Sequence, residues 1–474
     1  MCKTDQAYTH KRYERQTIIN ELYKKYIEPT LAQRDRYIGV EFEMPVVNLS
    51  GKAVDFSVVH NLTDRFIERF GFKVIGLDDD KNVCACQSKE HGDILSYDCS
   101  YNNLELSFGR EHDLNIIYDR FCTYYKFISD VLSESGHTLT GMGVNPHWKV
   151  NRNIPIENGR YRMLFHHLHS YTKYKLPMYF HEYPQYGTFS SASQVQLDAD
   201  HSKLAQTLNT FSKLEPIKAL LFSNSVLLGE DSSLLCCRDM FWENSPHGIN
   251  PHNIGMYDCE FSCADDILNY IASTSIYCAE RGDKYINFEP INIIEYLGRD
   301  SVKGEYFSSE TGGYETIEFT PELEDLRYLR TFKFEDLTYR GTIEFRSVCC
   351  QPIGECMTTA AFHLGAMISV DKLSKLMEND TVLYHNGYTA SELRKLFVRG
   401  TLPEYIDENK LWELARTVTD IAKDALIERG LGEERFIEPL FKRIENRTNP
   451  AKTMLSLLDR GTDLNEIIRL YAQL

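Results

Sequence analysis

Four short segments carry the residue types that could do chemistry. In Ile38-Gly39-Val40-Glu41-Phe42-Glu43, two acids alternate with apolar residues. A strand has period two, so Glu41 and Glu43 project from one face, and Val40, Phe42 and Met44 from the other. Two like charges on one sheet face repel unless a cation sits between them. For this segment alone, a solvated polar face is an equally good reading. Three more segments shift the balance. Glu105 stands in an apolar strand pattern, Tyr97–Leu106, and Gln194 and Gln196 share a face in Ser193–Asp198. Glu344 and Arg346 do the same in Gly341–Arg346. Together they describe a sheet that gathers carboxylates and amides on one side. Such oxygen donors suit hard cations such as Mg²⁺ and the phosphates these bridge, and Arg346 offers a fork for an anionic oxygen.

The elements that must position these groups follow from periodicity. Helical spacing runs over residues 6–30, 57–70 and 113–135, with further helical patterns near 160–173, 201–227 and 264–280. Strand patterns occupy the Glu41 segment, 93–97, 103–108, 137–143, 190–197 and 341–348, with a solvated turn expected at Asp78-Asp79-Asp80. From about residue 353 the chain reads as helix throughout. Irregular interleaving of strands and helices favours an α+β fold with an antiparallel sheet. The expected division is a catalytic core at 1–352 and a helical C-terminal region at 353–474.

Composition narrows the function. The 474 residues include 52 Lys+Arg and 69 Asp+Glu, a net charge of −17. That disfavours nonspecific nucleic-acid or anionic-membrane partners and leaves small molecules, with oligomeric state open. The segment MCKTDQAYTHKRYERQ has no apolar signal core, and no run of about 18 apolar residues occurs, so a cytoplasmic location is expected. The 13 cysteines have no paired C-x-x-C spacing and read as reduced thiols. His166 and His169 are helical neighbours without a third ligand and read as structural. No phosphate-binding G-x-x-x-x-G-K-[ST] loop is present, so any ATP is held differently.

The ordered stretches IGVEFE, NNLELSFG, GMGVNPHWK, IPIENGRYRMLFHHL, ASQVQLD, SNSVLL, CCRDMFW, the Tyr277 region with RGDKYI, and TIEFRSV resemble the glutamate–cysteine ligase family of the plant and proteobacterial type. That family has a glutamine synthetase/guanido kinase-like fold, a curved antiparallel sheet flanked by helices. The resemblance implies ATP-dependent formation of γ-glutamylcysteine through γ-glutamyl phosphate, the first step of glutathione biosynthesis. It places Glu41, Glu43, Glu105, Gln194 and Glu344 around two or three Mg²⁺ ions, for which Mn²⁺ may substitute. It puts Gln194, Gln196 and Arg346 at ATP, with Glu344 and Arg346 catalytic and Arg238 and Tyr277 at the amino-acid substrate.

Two departures stand out. Gln196 is one methylene longer than the family's usual Asn, and Ser347-Val348-Cys349-Cys350 replaces a small residue followed by Ala-Asp. The amine acceptor is therefore open. The alternatives are a γ-glutamyl ligase using another amine in a natural-product pathway, and a catalytically silent nucleotide-binding relative.

Overall fold

A computed structural model of the chain describes residues 12–172 and 178–474. Its main sheet has nine strands: β1 (Ile38–Asn48), β2 (Lys73–Leu77), β3 (Val83–Gln87), β4 (Ile94–Tyr97), β5 (Asn103–Glu111), β6 (His137–Leu139), β7 (Ser193–Asp198), β14 (Glu335–Leu337) and β15 (Thr342–Phe345). The order is β14-β15-β7-β1-β5-β4-β3-β2, with β6 on the far end of β1, and every pairing is antiparallel.

Register decides which residues meet. Glu41 lies opposite Gln194 on β7 and Ser107 on β5, and Glu43 lies opposite Glu105. Glu344 lies between Gln196 and Asp336. The alternate residues Val40, Phe42, Leu104, Leu106, Val195, Ile343 and Phe345 are buried on the other face. There Phe42 meets Phe108 and Phe121 edge-on, while Phe345 meets Phe211 and His363.

The helices before the tail are α1 (Arg15–Leu22), α2 (Phe56–Phe70), α3 (Leu114–Ser133), α4 (Gly159–Leu168), α5 (Leu204–Phe222), α6 (Cys237–Glu243), α7 (Ala264–Ala272) and α8 (Ile293–Gly298), of which α2 packs on β3 and α3 on β5. The tail adds α9 (Thr358–Ile368), α10 (Val370–Glu378), α11 (Ala390–Phe397), α12 (Glu408–Arg429), α13 (Glu438–Glu445), α14 (Pro450–Asp459) and α15 (Leu464–Tyr471). Local sequence sets their ends. Asp55 caps α2 by accepting from the Ser57 N–H, and Gly71 closes it at φ 67, a left-handed conformation cheap only for glycine. Thr389 and Glu392 form a reciprocal capping box on α11. Tail and core share one apolar cluster, with α9 packed on β7 and α11 on α5. No single helix among the described residues is long and apolar enough to cross a membrane.

The structure corrects several sequence expectations. The helical pattern near 264–280 holds only to Ala272, and Ser275–Arg281 is strand β9, which carries Tyr277. It opens a second antiparallel sheet with β10 (Lys284–Asn292), β11 (Val302–Ser308) and β12 (Gly313–Phe319), a region where the sequence showed no strand pattern. Gly282 turns β9 into β10 at φ 64, a left-handed conformation suited to glycine. A short parallel pair, β8 (Ile254–Gly255) and β13 (Phe332–Lys333), completes the strands. The first helix begins at Arg15, and residues 6–11 of its expected span, like residue 173 of the fourth, lie outside the described residues. Asp78 is buried rather than solvated, because it accepts from the Asn82 N–H at 2.7 Å and from Tyr101 Oη at 2.9 Å.

Candidate active site

The polar face of the main sheet floors a cavity of about 690 Å³. Glu41, Glu43, Glu105, Gln194, Glu344, Arg346, Arg238 and Tyr277 all line it. Strand alternation brings the first five to one surface, and Arg346 follows directly on β15. Arg238 enters from α6 and Tyr277 from β9, so residues far apart in the chain meet only through the fold.

The carboxylates are partly held by the protein. Glu43 accepts from the Ala192 N–H and from Gln194 Nε2, each at 2.6 Å. Gln196 Nε2 donates to Glu41 Oε1 at 3.0 Å and to Glu344 Oε1 at 2.9 Å. Arg346 Nη1 donates to Glu344 Oε2 at 2.7 Å. Gln196 lies on the same sheet face outside the cavity lining and braces two acids with its amide nitrogen.

Like charges packed in a poorly hydrated cavity favour the protonated form. Burial, then the neighbouring Glu344 and Glu105, pushes Glu41 well above the usual carboxylate range. Burial with Asp98 and Glu105 lifts Glu43 to about 8, although Arg238 and the Ala192 N–H oppose this. Glu105 rises to about 7, from burial and Asp98, against hydrogen bonds from Ser107 and Ser96. Asp336, opposite Glu344, is lifted to about 6 by burial. Groups pushed this far are candidates for function.

The donor set fits a divalent cation. Gln194 Oε1 is buried in the cavity without a hydrogen-bond partner, a carbonyl oxygen among four carboxylates. Hard cations bind such oxygens, and one would offset the mutual repulsion. Among the described residues no group of three or more acidic, His or Cys side chains is placed to hold a metal ion by itself.

Arg238 is 7 % exposed, and among the described residues its guanidinium donates only to the Val348 carbonyl, at 3.2 Å, from Nη1. The nearby acids have other partners: Arg394 binds Asp239, and Lys395 reaches Glu243 at 3.2 Å. The Arg238 guanidinium thus faces the cavity without an ion pair among the described residues. Tyr277 is buried with its hydroxyl unpartnered, its ring stacked on His167 at 4.0 Å.

Sequence reasoning missed Asp98, Arg160 and Arg330, which also line the cavity. Asp98 is aimed there by Cys99, held at φ 59, a left-handed conformation costly for a side chain with a Cβ. Arg160 stands within the stretch IPIENGRYR, where its signal was present but not singled out. In the Phe165–His169 segment, His166 and His169 have protein partners. His166 pairs with Glu305 at 2.8 Å, while His169 Nδ1 contacts the Phe165 carbonyl oxygen at 2.6 Å. The twelve described cysteines are free.

The family model of glutamate–cysteine ligase family 2 (GCS2) matches residues 37–473. The chain belongs to this family. A chloroplastic glutamate–cysteine ligase of Medicago truncatula is 21% identical over 344 residues, covering 70% of this chain and 61% of that one. Chloroplastic glutamate–cysteine ligase A of Oryza sativa subsp. indica is 23% identical over 340 residues, covering 70% and 63%. The match thus spans less than two thirds of the length of these curated relatives. In fold, the chain is similar to the crystal structure of a glutamate–cysteine ligase from Francisella tularensis in complex with AMP. The TM-score is 0.52 at 11% identity, with 93% of this chain and 89% of that one covered. The GCS2 match therefore runs through both the acidic sheet and the helical tail.

Proposed function

We propose that this chain is an ATP-dependent carboxylate–amine ligase that joins the γ-carboxylate of L-glutamate to the amine of L-cysteine, through γ-glutamyl phosphate. The observation that carries this reading is the division of one cavity into an acidic floor and an unpaired buried arginine, in a GCS2 chain. The acid floor suits cation-bridged phosphates, and Arg238 suits a carboxylate that does not react. Mg²⁺, or Mn²⁺ in its place, would be held by Glu41, Glu43, Glu105, Gln194 and Glu344 and would neutralise phosphate charge. Arg346, anchored by Glu344, stabilises charge on the transferred phosphoryl group. Gln196 keeps Glu41 and Glu344 in register. Tyr277 closes the amino-acid end of the cavity. Burial lowers water activity around the acyl phosphate and so protects it from hydrolysis.

The test is nucleotide product and acceptor choice. With glutamate, Mg²⁺ and a panel of amines, ADP and phosphate are expected, fastest with cysteine, and labelled γ-carboxylate oxygen should appear in phosphate. AMP and pyrophosphate would remove the acyl-phosphate reading. A better acceptor than cysteine would make the chain a γ-glutamyl ligase of another pathway.

A further inference from the structure

A second cavity, of about 290 Å³, lies on the other side of α4, against the second sheet. Its origin is a break in strand pairing. The β10–β11 ladder ends at Asn287 opposite Glu305, and between Asn287 and Ile291 strand β10 carries two more residues than β9. The surplus segment Phe288-Glu289-Pro290 bulges away, and Pro290 has no N–H to restore the ladder. Gly304 keeps the floor close: a Cβ there would lie 2.5 Å from Ile286 Cγ2 and 2.7 Å from the Asn287 carbonyl oxygen.

The lining looks built for a ligand. Asn287 is 6 % exposed, and among the described residues neither its Oδ1 nor its Nδ2 has a hydrogen-bond partner. A buried side-chain amide with both ends unmet is destabilising, and native proteins hold few of them. Around it stand Lys303 and Glu289, neither in an ion pair among the described residues, and Glu305. His166 steadies one wall by bonding Glu305 and stacking on Tyr314 at 3.6 Å. His167 is shared with the catalytic side, since it lines this cavity and stacks on Tyr277.

We propose that this cavity binds a free zwitterionic α-amino acid whose side chain ends in an uncharged amide. Lys303 meets the carboxylate, and Glu289 meets the ammonium. The ligand amide pairs with Asn287, which then has both its donor and its acceptor satisfied. The volume suits a ligand of this size. A bound amino acid packs against the back of the His167 ring, so occupancy is read on the face that supports Tyr277.

The probe is L-glutamine, titrated calorimetrically into the full chain with no nucleotide. One saturable site is expected. Asn287→Leu should weaken binding by about tenfold or more while leaving Tm unchanged or raised, because an unpaired buried amide is removed. Lys303→Met, on the cavity rim, should weaken it by about tenfold with the fold intact. Arg238→Lys should leave it unchanged. Absence of saturable binding up to about 10 mM would overturn the proposal. So would binding that survives both Asn287→Leu and Lys303→Met, or that disappears in Arg238→Lys, which would put glutamine in the catalytic cavity. None of these readouts depends on ligase activity.

Discussion

Arg394, from the helical tail, grips Asp239 with two hydrogen bonds, Nε to Oδ2 at 2.7 Å and Nη2 to Oδ1 at 3.0 Å. It also binds the buried Glu215, whose carboxylate Lys218 shares. Asp239 is the residue after Arg238, so this grip keeps the obvious carboxylate partner away from the cavity arginine. Arg394→Met should therefore do two things. It leaves buried acids uncompensated, at a cost of about 3–5 kcal/mol. It also lets Asp239 compete for Arg238. Thermal denaturation should show the first effect, and an increased glutamate KM at temperatures where the variant is folded should show the second.

Arg238 itself is tested by Arg238→Lys. A bidentate contact to a carboxylate contributes about 1.5–3 kcal/mol, and an ammonium cannot reproduce the fork. The glutamate KM should rise roughly 10- to 150-fold with the ATP KM nearly unchanged. A fall in Tm with both KM values unmoved would make Arg238 a structural residue.

The acidic floor predicts a sign for pH dependence in metal-free protein. Glu43 at about 8 and Glu105 at about 7 bind protons that the unfolded chain, with glutamate carboxyls near their ordinary value of 4.5, has already released. Because the folded state holds more protons between those limits, stability should fall as pH rises from about 4.5 to about 8. Added Mg²⁺ should release protons and flatten this slope. Tm measured against pH, with EDTA and with Mg²⁺, checks both statements; identical curves would argue against cation binding on this face.

Glu344 touches both Gln196 and Arg346, so its removal loosens two supports at once. Glu344→Ala should lower kcat on the order of 10²–10³-fold. Gln196→Ala should cost less, since it removes a brace and not a cavity ligand. Circular dichroism should show both folds intact. Equal losses would place Gln196 directly on the nucleotide.

Tyr277→Phe removes a buried hydroxyl that has no protein partner. Stability should hold or improve slightly, and any rise in an amino-acid KM would then report a contact made only with substrate. An unchanged KM for both amino acids would reduce Tyr277 to a packing residue.

Residue alternation alone was enough to put Glu41 with Glu43, and Gln194 with Gln196, on common faces, because a strand's period of two is a local property. The all-helical tail was legible for the same reason, with caps such as Thr389–Glu392 written in adjacent residues. What the sequence could not determine was which strands are neighbours. Pairing Glu43 with Glu105, or Glu344 with Gln196, joins residues some 60 to 150 positions apart, and many registers satisfy the same alternation. Tertiary structure also turned Tyr277 from an expected helix into a strand, carried Arg238 to the cavity, and sent Arg394 from the tail to hold Asp239 aside. It also tied Gln196 to two carboxylates, Glu41 and Glu344. Periodicity is a property of one segment, whereas a cavity is made where several segments meet, and only long-range packing chooses that meeting point.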